Sequence, residues 1–377
     1  MKKNILLIGA MLAVLAASAL ASAEEGISDK LILIGQTVGL TGTVAGPVQE
    51  MNAGANAYFN LVNKKGGVFG RKIELLTMDD QFDPALAAAN AENLIRKRHV
   101  FALFQGRGTP HTLAILPLLA TYKVPLIAPS TGALALRQPV NHWVFHIRAD
   151  YKDEVSKIIE QFTTIGIKAI GIVHVDDSFG QDGLAGFNQA LALHKLTPAV
   201  VAQFSRAKPD YAAAVNTIMQ ANPQGLIIVS SSNQTIELIK ALRAAGSRTQ
   251  IMTLSNNSSE SFIRDLGVAS KGVIISQVMP SPNLVTTGLG DEFMKVAKAS
   301  GTTVSYAAME GYVNAKVLVE GLRRAGPNPT REGLVTALES IKHLDLGGIV
   351  ITYDEKDHSA NKFVELTIIG QGGRFIK

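Results

Sequence analysis

Short runs of aliphatic and β-branched residues alternate along the chain with longer stretches in which small and apolar residues recur every three or four positions. The short runs predict buried strands and the longer stretches predict helices. The first third of the chain reads strand, helix, strand, helix, strand, helix, strand. These elements span Leu31–Gln36, Gln49–Asn63, Lys72–Met78, Pro84–Lys97, Phe101–Gln105, Pro110–Tyr122 and Pro125–Ala128.

The same alternation restarts after Ala149. Helices are predicted over Lys152–Thr164, Gly183–His194, Tyr211–Ala221 and Gln234–Ala245. Strands are predicted over Ile170–His174, Ala199–Phe204, Gly225–Val229, Gln250–Leu254 and Gly272–Gln277. Three helices near Asp291–Ser300, Tyr306–Arg324 and Arg331–Ser340 and β-like segments at Ile349–Tyr353 and Lys362–Ile369 follow. Two βα series predict an α/β protein with two lobes, each built on a parallel sheet.

The N-terminus has the three-part layout of a secretory signal peptide. A basic start at 1–3 precedes an apolar run, Ile5 to Leu20, and the small residues Ala21-Ser22-Ala23 follow it. We expect cleavage after Ala23 and export to the periplasm. The alternative, a membrane anchor, needs about 20 apolar residues, more than this run supplies.

Composition narrows the class further. The chain has no cysteine, which excludes a thiol-anchored lipoprotein and leaves an exported fold without disulfides. The formal charge is +5, and the basic residues are scattered, without the stripe that nucleic-acid binding requires. We therefore expect no nucleic-acid partner.

Two segments that join predicted helices and strands are distinctive. In the stretch 63–73, Asn-Lys-Lys-Gly-Gly-Val-Phe-Gly-Arg-Lys-Ile, glycines end a helix before a strand. In the stretch 79–84, Asp-Asp-Gln-Phe-Asp-Pro, that strand ends and a helix begins. Both closely resemble segments of the type I periplasmic binding proteins that include the leucine/isoleucine/valine-binding proteins of ABC transporters. The resemblance covers essentially the whole chain and continues in 39–42, 175–180, 305–307, 311–312 and 353–356.

The resemblance implies two Rossmann-like lobes joined by a three-strand hinge and closing on a ligand. It places 24–148 and about 280–354 in the first lobe, and 149–279 and about 355–377 in the second.

Candidate ligand contacts follow the strands of the first lobe. Thr109 is a suitable helix N-cap and Pro110 a suitable first helical residue, which leaves the amides of His111 and Thr112 free to bind an anion. An ordinary cap serving its own helix is the alternative. In the resembling family, the position of Thr109 contacts an α-carboxylate, and Ser130 and Thr131 fall in the next ligand-contacting loop.

The second lobe adds further candidates. Phe179 matches an aromatic position that closes over the ligand, with a core phenylalanine as the alternative. Ser231, Ser255 and Asn256 follow later strands, at the edge of the sheet where ligands bind. The matched segments also make Thr41 and Tyr306 candidates.

The departures from the family concern charge. Branched-chain amino-acid binders have a glutamate near Ser255 for the ligand's ammonium, whereas this chain has Ser255-Asn256 and no carboxylate until Glu260. Arg107 stands where those relatives are uncharged, and it is either part of the site or a solvated rim residue. We expect a carboxylate ligand without an ammonium handle, unless Asp177 or Glu310 supplies the missing charge.

Catalytic motifs are missing from the sequence. It contains no Gly-x-Ser-x-Gly, His-Glu-x-x-His or Walker sequence, and His111 has no partner at metal-ligand spacing. We therefore expect a monomeric binding protein without cofactor or metal that delivers its ligand to a membrane permease. Delivery to a sensory receptor is the alternative, which the capture residues do not distinguish.

A chain lacking residues 1–23 is expected to be soluble, monomeric and competent to bind ligand, because the later sequence has no long apolar run. Size-exclusion chromatography with light scattering checks this. Insolubility of the truncated chain, together with folding of the full chain in detergent, would contradict the assignment of a signal peptide.

Overall fold

A computed structural model describes residues 24–376, and the expected signal peptide lies outside them. Two separate sheets organise these residues. The first has five parallel strands in the order β2-β1-β3-β4-β5. They are β1 (Leu31–Val38), β2 (Lys72–Asp79), β3 (Ala102–Phe104), β4 (Leu126–Ile127) and β5 (Val144–Phe145).

The second sheet has seven strands in the order β14-β13-β10-β9-β8-β6-β7. Five are parallel, and the last two in sequence add antiparallel at one edge. The strands are β6 (Ile170–Val175), β7 (Val200–Phe204), β8 (Gly225–Val229), β9 (Gln250–Thr253), β10 (Ile274–Gln277), β13 (Glu365–Ile369) and β14 (Phe375–Ile376). A separate hairpin of β11 (Leu344–Asp345) and β12 (Val350–Ile351) lies between β10 and β13 in the sequence.

Helices cover both sheets, and each sheet has its own hydrophobic core. The first core includes side chains of α1 (Ala45–Lys64), α2 (Pro84–Arg96), α3 (Thr109–Tyr122), α9 (Gly288–Ser300), α10 (Tyr306–Ala325) and α11 (Arg331–Glu339). The second includes side chains of α4 (Tyr151–Thr164), α5 (Ser178–Leu193), α6 (Tyr211–Ala221), α7 (Ser232–Ala244) and α8 (Glu260–Leu266). Within residues 24–376 the structure has no helix of the length and hydropathy needed to cross a bilayer.

The chain passes between the two cores three times. It leaves the first sheet after β5 and enters α4, returns after β10 to α9, and leaves again between β12 and β13. At the last crossing Ser359 forms a β-bridge with His146, which belongs to the first crossing. The predicted fold class, two lobes with parallel sheets and a three-stranded hinge, is confirmed.

Several element boundaries differ from the predicted ones. Helix α5 begins at Ser178 instead of Gly183, because the Asp177 carboxylate accepts hydrogen bonds from the amides of Phe179 and Gly180. Gly180 is required there, since a Cβ at this position would lie 1.7 Å from the carbonyl oxygen of Val175. Glycines in this segment therefore permit close packing and do not break the helix.

Helices α1 and α10 cross in direct backbone contact. A Cβ on Gly54 would lie 1.8 Å from the carbonyl oxygen of Ala308, and a Cβ on Gly311 would lie 1.8 Å from that of Met51. Each helix thus presents a glycine to the other, and this crossing closes one face of the first core.

Gly54→Ala is expected to lower the free energy of unfolding by about 1–3 kcal/mol, because the added methyl group forces the helices apart. Asn56→Ala on the exposed face of the same helix is the control, with a change within about 0.5 kcal/mol. Urea denaturation measures both. A Gly54→Ala protein as stable as the parent, or more stable as helix propensity alone would make it, would contradict the packing argument.

Candidate functional site

A small cavity lies between the two lobes, with a volume of about 20 Å³. This volume holds about one water molecule. The lobes are therefore in contact across the cleft, and a solute enters only when they separate. The first lobe contributes Val44, Phe82, Arg107, Gly108, Thr109, Pro110 and Ser130, and the second contributes Tyr151, Phe179, Arg206, Ser231 and Asn256.

Arg107 provides the cationic centre of this cavity. Its side chain is buried, and its Nη2 donates a hydrogen bond of 2.7 Å to the carbonyl oxygen of Asn256 in the opposite lobe. Within residues 24–376 it forms no ion pair. Burial lowers the pKa of Arg107, the charge of Glu310 opposes this, and the charge of Arg148 lowers the pKa further. A buried cation without a counter-charge is costly, so the cavity is suited to an anion.

The start of α3 lies beside Arg107. Thr109 is the first residue of the helix, and Gly108, with φ 104°, occupies the cap, so the expected N-cap at Thr109 is wrong. The Thr112 amide bonds to the carbonyl oxygen of Gly108 at 3.0 Å and is not free, contrary to expectation. The amides of Thr109 and His111 make no hydrogen bond within the described chain. The helix start therefore still offers donors and the positive end of a dipole.

Hydroxyl groups surround the same end of the cavity. Thr109 Oγ1 and Thr131 Oγ1 are 2.8 Å apart, and Thr131 is buried behind Thr109 without lining the cavity. The Ser130 hydroxyl lines the cavity and donates to Glu310 at 3.4 Å, a weak bond. Arg107, Thr109 and Ser130 together form a polar pole in the first lobe.

Three aromatic rings form the apolar walls. Phe179 contacts Tyr151, with ring centroids 4.8 Å apart, on the side of the second lobe. Phe82 closes the opposite side and stacks on His111, with ring centroids 4.3 Å apart. Burial lowers the pKa of His111 to about 4, so its ring is neutral at pH 7. His111 lies outside the cavity and supports Phe82 from behind.

Arg206, which the sequence analysis missed, brings a second guanidinium to the cavity. Its Nε bonds to the carboxylate of Asp177, and its guanidinium lies 5.3 Å from the centre of the Phe82 ring in the other lobe. Its Nη1 is buried without a hydrogen-bond partner in the described residues. The proximity of Arg206 to Asp177 could have been inferred from the sequence, because Asp177 follows β6, Arg206 follows β7, and these strands are paired.

A buried charge network lies next to the cavity at the first crossing. Arg148 Nη2 donates to Glu154 at 2.8 Å and also bonds to the Ser255 hydroxyl, while Nη1 lies 3.6 Å from Glu310. Glu154 also accepts from the Ser255 amide at 2.8 Å and from the Ser276 hydroxyl at 2.5 Å. Burial opposes the charge of Arg148, but Glu310 and Glu154 outweigh it and raise its pKa. Ser255 therefore belongs to this network and does not line the cavity.

Two other candidates also lie outside the cavity. Thr41 is exposed, and its hydroxyl donates to Asp79 at 2.7 Å. The Tyr306 hydroxyl donates to Glu365 at 3.1 Å, and its ring packs against Phe375. Thr41 therefore stabilises a turn, and Tyr306 fixes the start of α10 against the C-terminal strands. The candidates that do line the cavity are Arg107, Thr109, Ser130, Phe179, Ser231 and Asn256.

The lining contains no carboxylate. Asp177 is paired with Arg206, and Glu310 with Arg148. Across the described part of the chain, no group of three histidine or acidic side chains is arranged to hold a metal ion. The cavity therefore combines the polar pole of the first lobe, with its guanidinium and hydroxyl groups, and walls of aromatic side chains.

Two α/β lobes joined by a three-stranded hinge, with a cavity between them, form the architecture of a two-lobed solute-binding protein. The model for the periplasmic binding protein family matches residues 32–373. The chain therefore belongs to this family of solute-binding proteins, within the type I group that includes the Leu/Ile/Val-binding proteins.

Known relatives span different ligands. A substrate-binding periplasmic protein from Ralstonia solanacearum superposes with a TM-score of 0.86 at 30% identity, over 92% of this chain and 99% of that one. The Leu/Ile/Val-binding protein BraC3 of Rhizobium johnstonii is 24% identical over 332 residues, covering 86% of this chain and 88% of its own. A fatty acid ABC transporter substrate-binding protein from Thermomonospora curvata has a TM-score of 0.83 at 20% identity, over 94% of both chains.

Arg148→Met is expected to lower the free energy of unfolding by about 3–5 kcal/mol, because it leaves Glu154 and Glu310 buried without a counter-charge. The control, Arg264→Met, removes an exposed pair with Asp265 and is expected to cost less than about 1 kcal/mol. Chemical denaturation at pH 7 measures the difference. Equal losses in the two variants would show that the network adds nothing to stability.

Proposed function

We propose that this protein is the solute receptor of an ABC importer and captures a small organic acid without an ammonium group between its lobes. One observation carries the proposal. Arg107 is buried in a cavity whose lining has no carboxylate, and it forms no ion pair within the described residues. A ligand carboxylate is the counter-charge that this arrangement lacks.

The surroundings of Arg107 support a carboxylate in particular. The Thr109 hydroxyl and the amides at the start of α3 are donors on the same side of the cavity, and Ser130 adds another hydroxyl. A carboxylate has two oxygens and accepts several such bonds at once. Phe82, Tyr151 and Phe179 provide contacts for an apolar or aromatic body.

The side of the cavity formed by the second lobe argues against an amino acid as the ligand. An ammonium group loses much hydration on burial and needs a carboxylate nearby. In this chain the second lobe presents Arg206, Ser231 and Asn256 to the cavity but no carboxylate, and the nearby Asp177 is already paired with Arg206. Proteins with this fold are named for binding Leu/Ile/Val and fatty acids. The lining residues here favour an acid that, like a fatty acid, has no ammonium group.

Capture then follows from closure. In the open form the first lobe, 24–148 with about 280–354, presents its polar pole to the solute. The second lobe, 149–279 with about 355–377, closes about the hinge, adds Phe179 and Asn256, and expels water. We propose that the closed monomer is recognised in the periplasm by the membrane permease of the importer, with no cofactor involved.

Titration with leucine and with its keto acid, 4-methyl-2-oxopentanoate, tests the choice of ligand class. The two solutes share one carbon skeleton and one carboxylate, and differ in ammonium against carbonyl. We expect tighter binding of the keto acid in isothermal calorimetry. Clearly tighter binding of leucine would mean that an ammonium site exists and that this part of the proposal is wrong.

Arg107→Met is expected to weaken binding of the keto acid at least about 30-fold, because truncation of a buried charged partner costs about 2 kcal/mol or more. Arg248→Met removes an exposed guanidinium from the second lobe and serves as the control, with unchanged affinity. Melting temperatures of both variants show whether the fold is intact. Unchanged affinity in a folded Arg107→Met protein would exclude Arg107 from the site.

A further inference from the structure

A second contact between the lobes lies outside the cavity. Glu50, on α1 of the first lobe, accepts hydrogen bonds from two consecutive backbone amides at the start of α8 in the second lobe. The bonds are 3.0 Å from the Glu260 amide and 2.7 Å from the Ser261 amide, one to each carboxylate oxygen. A half-buried glutamate of one lobe therefore caps a helix of the other.

These two bonds complete the hydrogen bonding of the α8 N-terminus. The third amide, that of Phe262, bonds to the hydroxyl of the cap residue Ser259, and the fourth, that of Ile263, bonds to the Ser259 carbonyl. The first turn of a helix leaves its amides without partners inside the helix. Here the helix satisfies two of its amides from its own cap and depends on the opposite lobe for the other two.

The backbones approach closely beside this contact. A Cβ on Gly46, one turn before Glu50, would lie 2.9 Å from the Cβ of Ser261 and 2.7 Å from its hydroxyl oxygen. A larger residue at position 46 would force Ser261 to shift while the lobes are in this arrangement. The adjoining loop adds a backbone bond of 3.3 Å from Asn233 to Thr43, again between lobes.

We propose that this closure seam, Gly46 and Glu50 against Glu260 and Ser261, stabilises the closed form independently of the solute. The seam residues do not line the cavity, so the contribution is the same with or without a ligand. The proposal rests on the two-lobed closure described above. Its consequence is that the ligand-free protein populates the closed form, and that the seam slows solute release.

The seam is separable from the stability of each lobe. Helix α1 is held in its own lobe by buried side chains and by its contact with α10, and the contacts of Glu50 are to the other lobe. Position 46 precedes Pro47 in the first turn of α1, where a Cβ disfavours helical geometry, so opening of Gly46→Ala alone does not separate the clash with Ser261 from a weakened α1. Reversal of the opening by Ser261→Gly, which removes the clash and leaves α1 unchanged, does separate them.

The absence of cysteine from the chain permits a test without any solute. Ala85 and Lys208 are exposed residues near the cleft mouth, one in each lobe, where Arg206 lies over Phe82. Spin labels on Ala85→Cys and Lys208→Cys report the distance between lobes in the ligand-free protein by pulsed electron resonance. Three further variants are compared in this background: Glu50→Ala, Gly46→Ala, and Gly46→Ala with Ser261→Gly.

We expect the parent to show a short and a long distance, and Glu50→Ala to reduce the ratio of short to long about tenfold. Gly46→Ala is expected to remove most of the short distance, and the added Ser261→Gly, which deletes the clashing side chain, is expected to restore it. A parent found only at the long distance overturns the proposal, as does a ratio unchanged in Glu50→Ala or a double variant that stays open. Because no solute is present, failure here leaves the keto-acid result untouched, and the reverse also holds.

Discussion

The structure depends on a constraint of electrostatics at Arg107. Closing the lobes takes this guanidinium out of water, and the Asn256 carbonyl is the partner it gains from the second lobe. A carbonyl oxygen satisfies one donor but does not neutralise a charge. Closure around an anion therefore gains a favourable electrostatic contribution from Arg107, which closure around a neutral or cationic solute lacks. Under the proposed function, selection for an anion therefore begins with the burial of Arg107, before any contact with the body of the ligand.

A second buried guanidinium in the same interface, that of Arg148, differs from Arg107 because it is ion-paired. Arg148 lies between Glu154 of one lobe and Glu310 of the other, it also donates to the Ser255 hydroxyl, and the Ser276 hydroxyl donates to Glu154. Its charge is neutralised within the protein, so it needs nothing from a ligand. The two arginines thus have opposite roles although both are buried. The network joins the two lobes at the first crossing.

The sequence predicted the order of elements well, because buried strands and amphipathic helices leave strong patterns. It failed where tertiary contacts override local preference. The predicted helix begins at Gly183, whereas α5 begins at Ser178, because the Asp177 carboxylate caps it and Gly180 packs against the end of β6. Arg206 has no motif around it and becomes part of the cavity only through the pairing of β6 with β7. Thr41 and Tyr306, candidates from family position, lie outside the cavity, and their hydroxyl groups bond to Asp79 and Glu365.

Affinity and selectivity are set in different parts of this interface. The closure seam forms identical bonds whatever lies in the cavity, so it shifts the open–closed equilibrium equally for every solute and cannot discriminate among them. Under the proposed function the cavity does discriminate, because an anion offsets the burial of Arg107 while an ammonium adds a second uncompensated cation. A stronger seam would raise affinity but also the fraction of protein closed without cargo, which slows entry. The seam's two hydrogen bonds and one close approach are therefore consistent with a receptor that closes readily yet still opens.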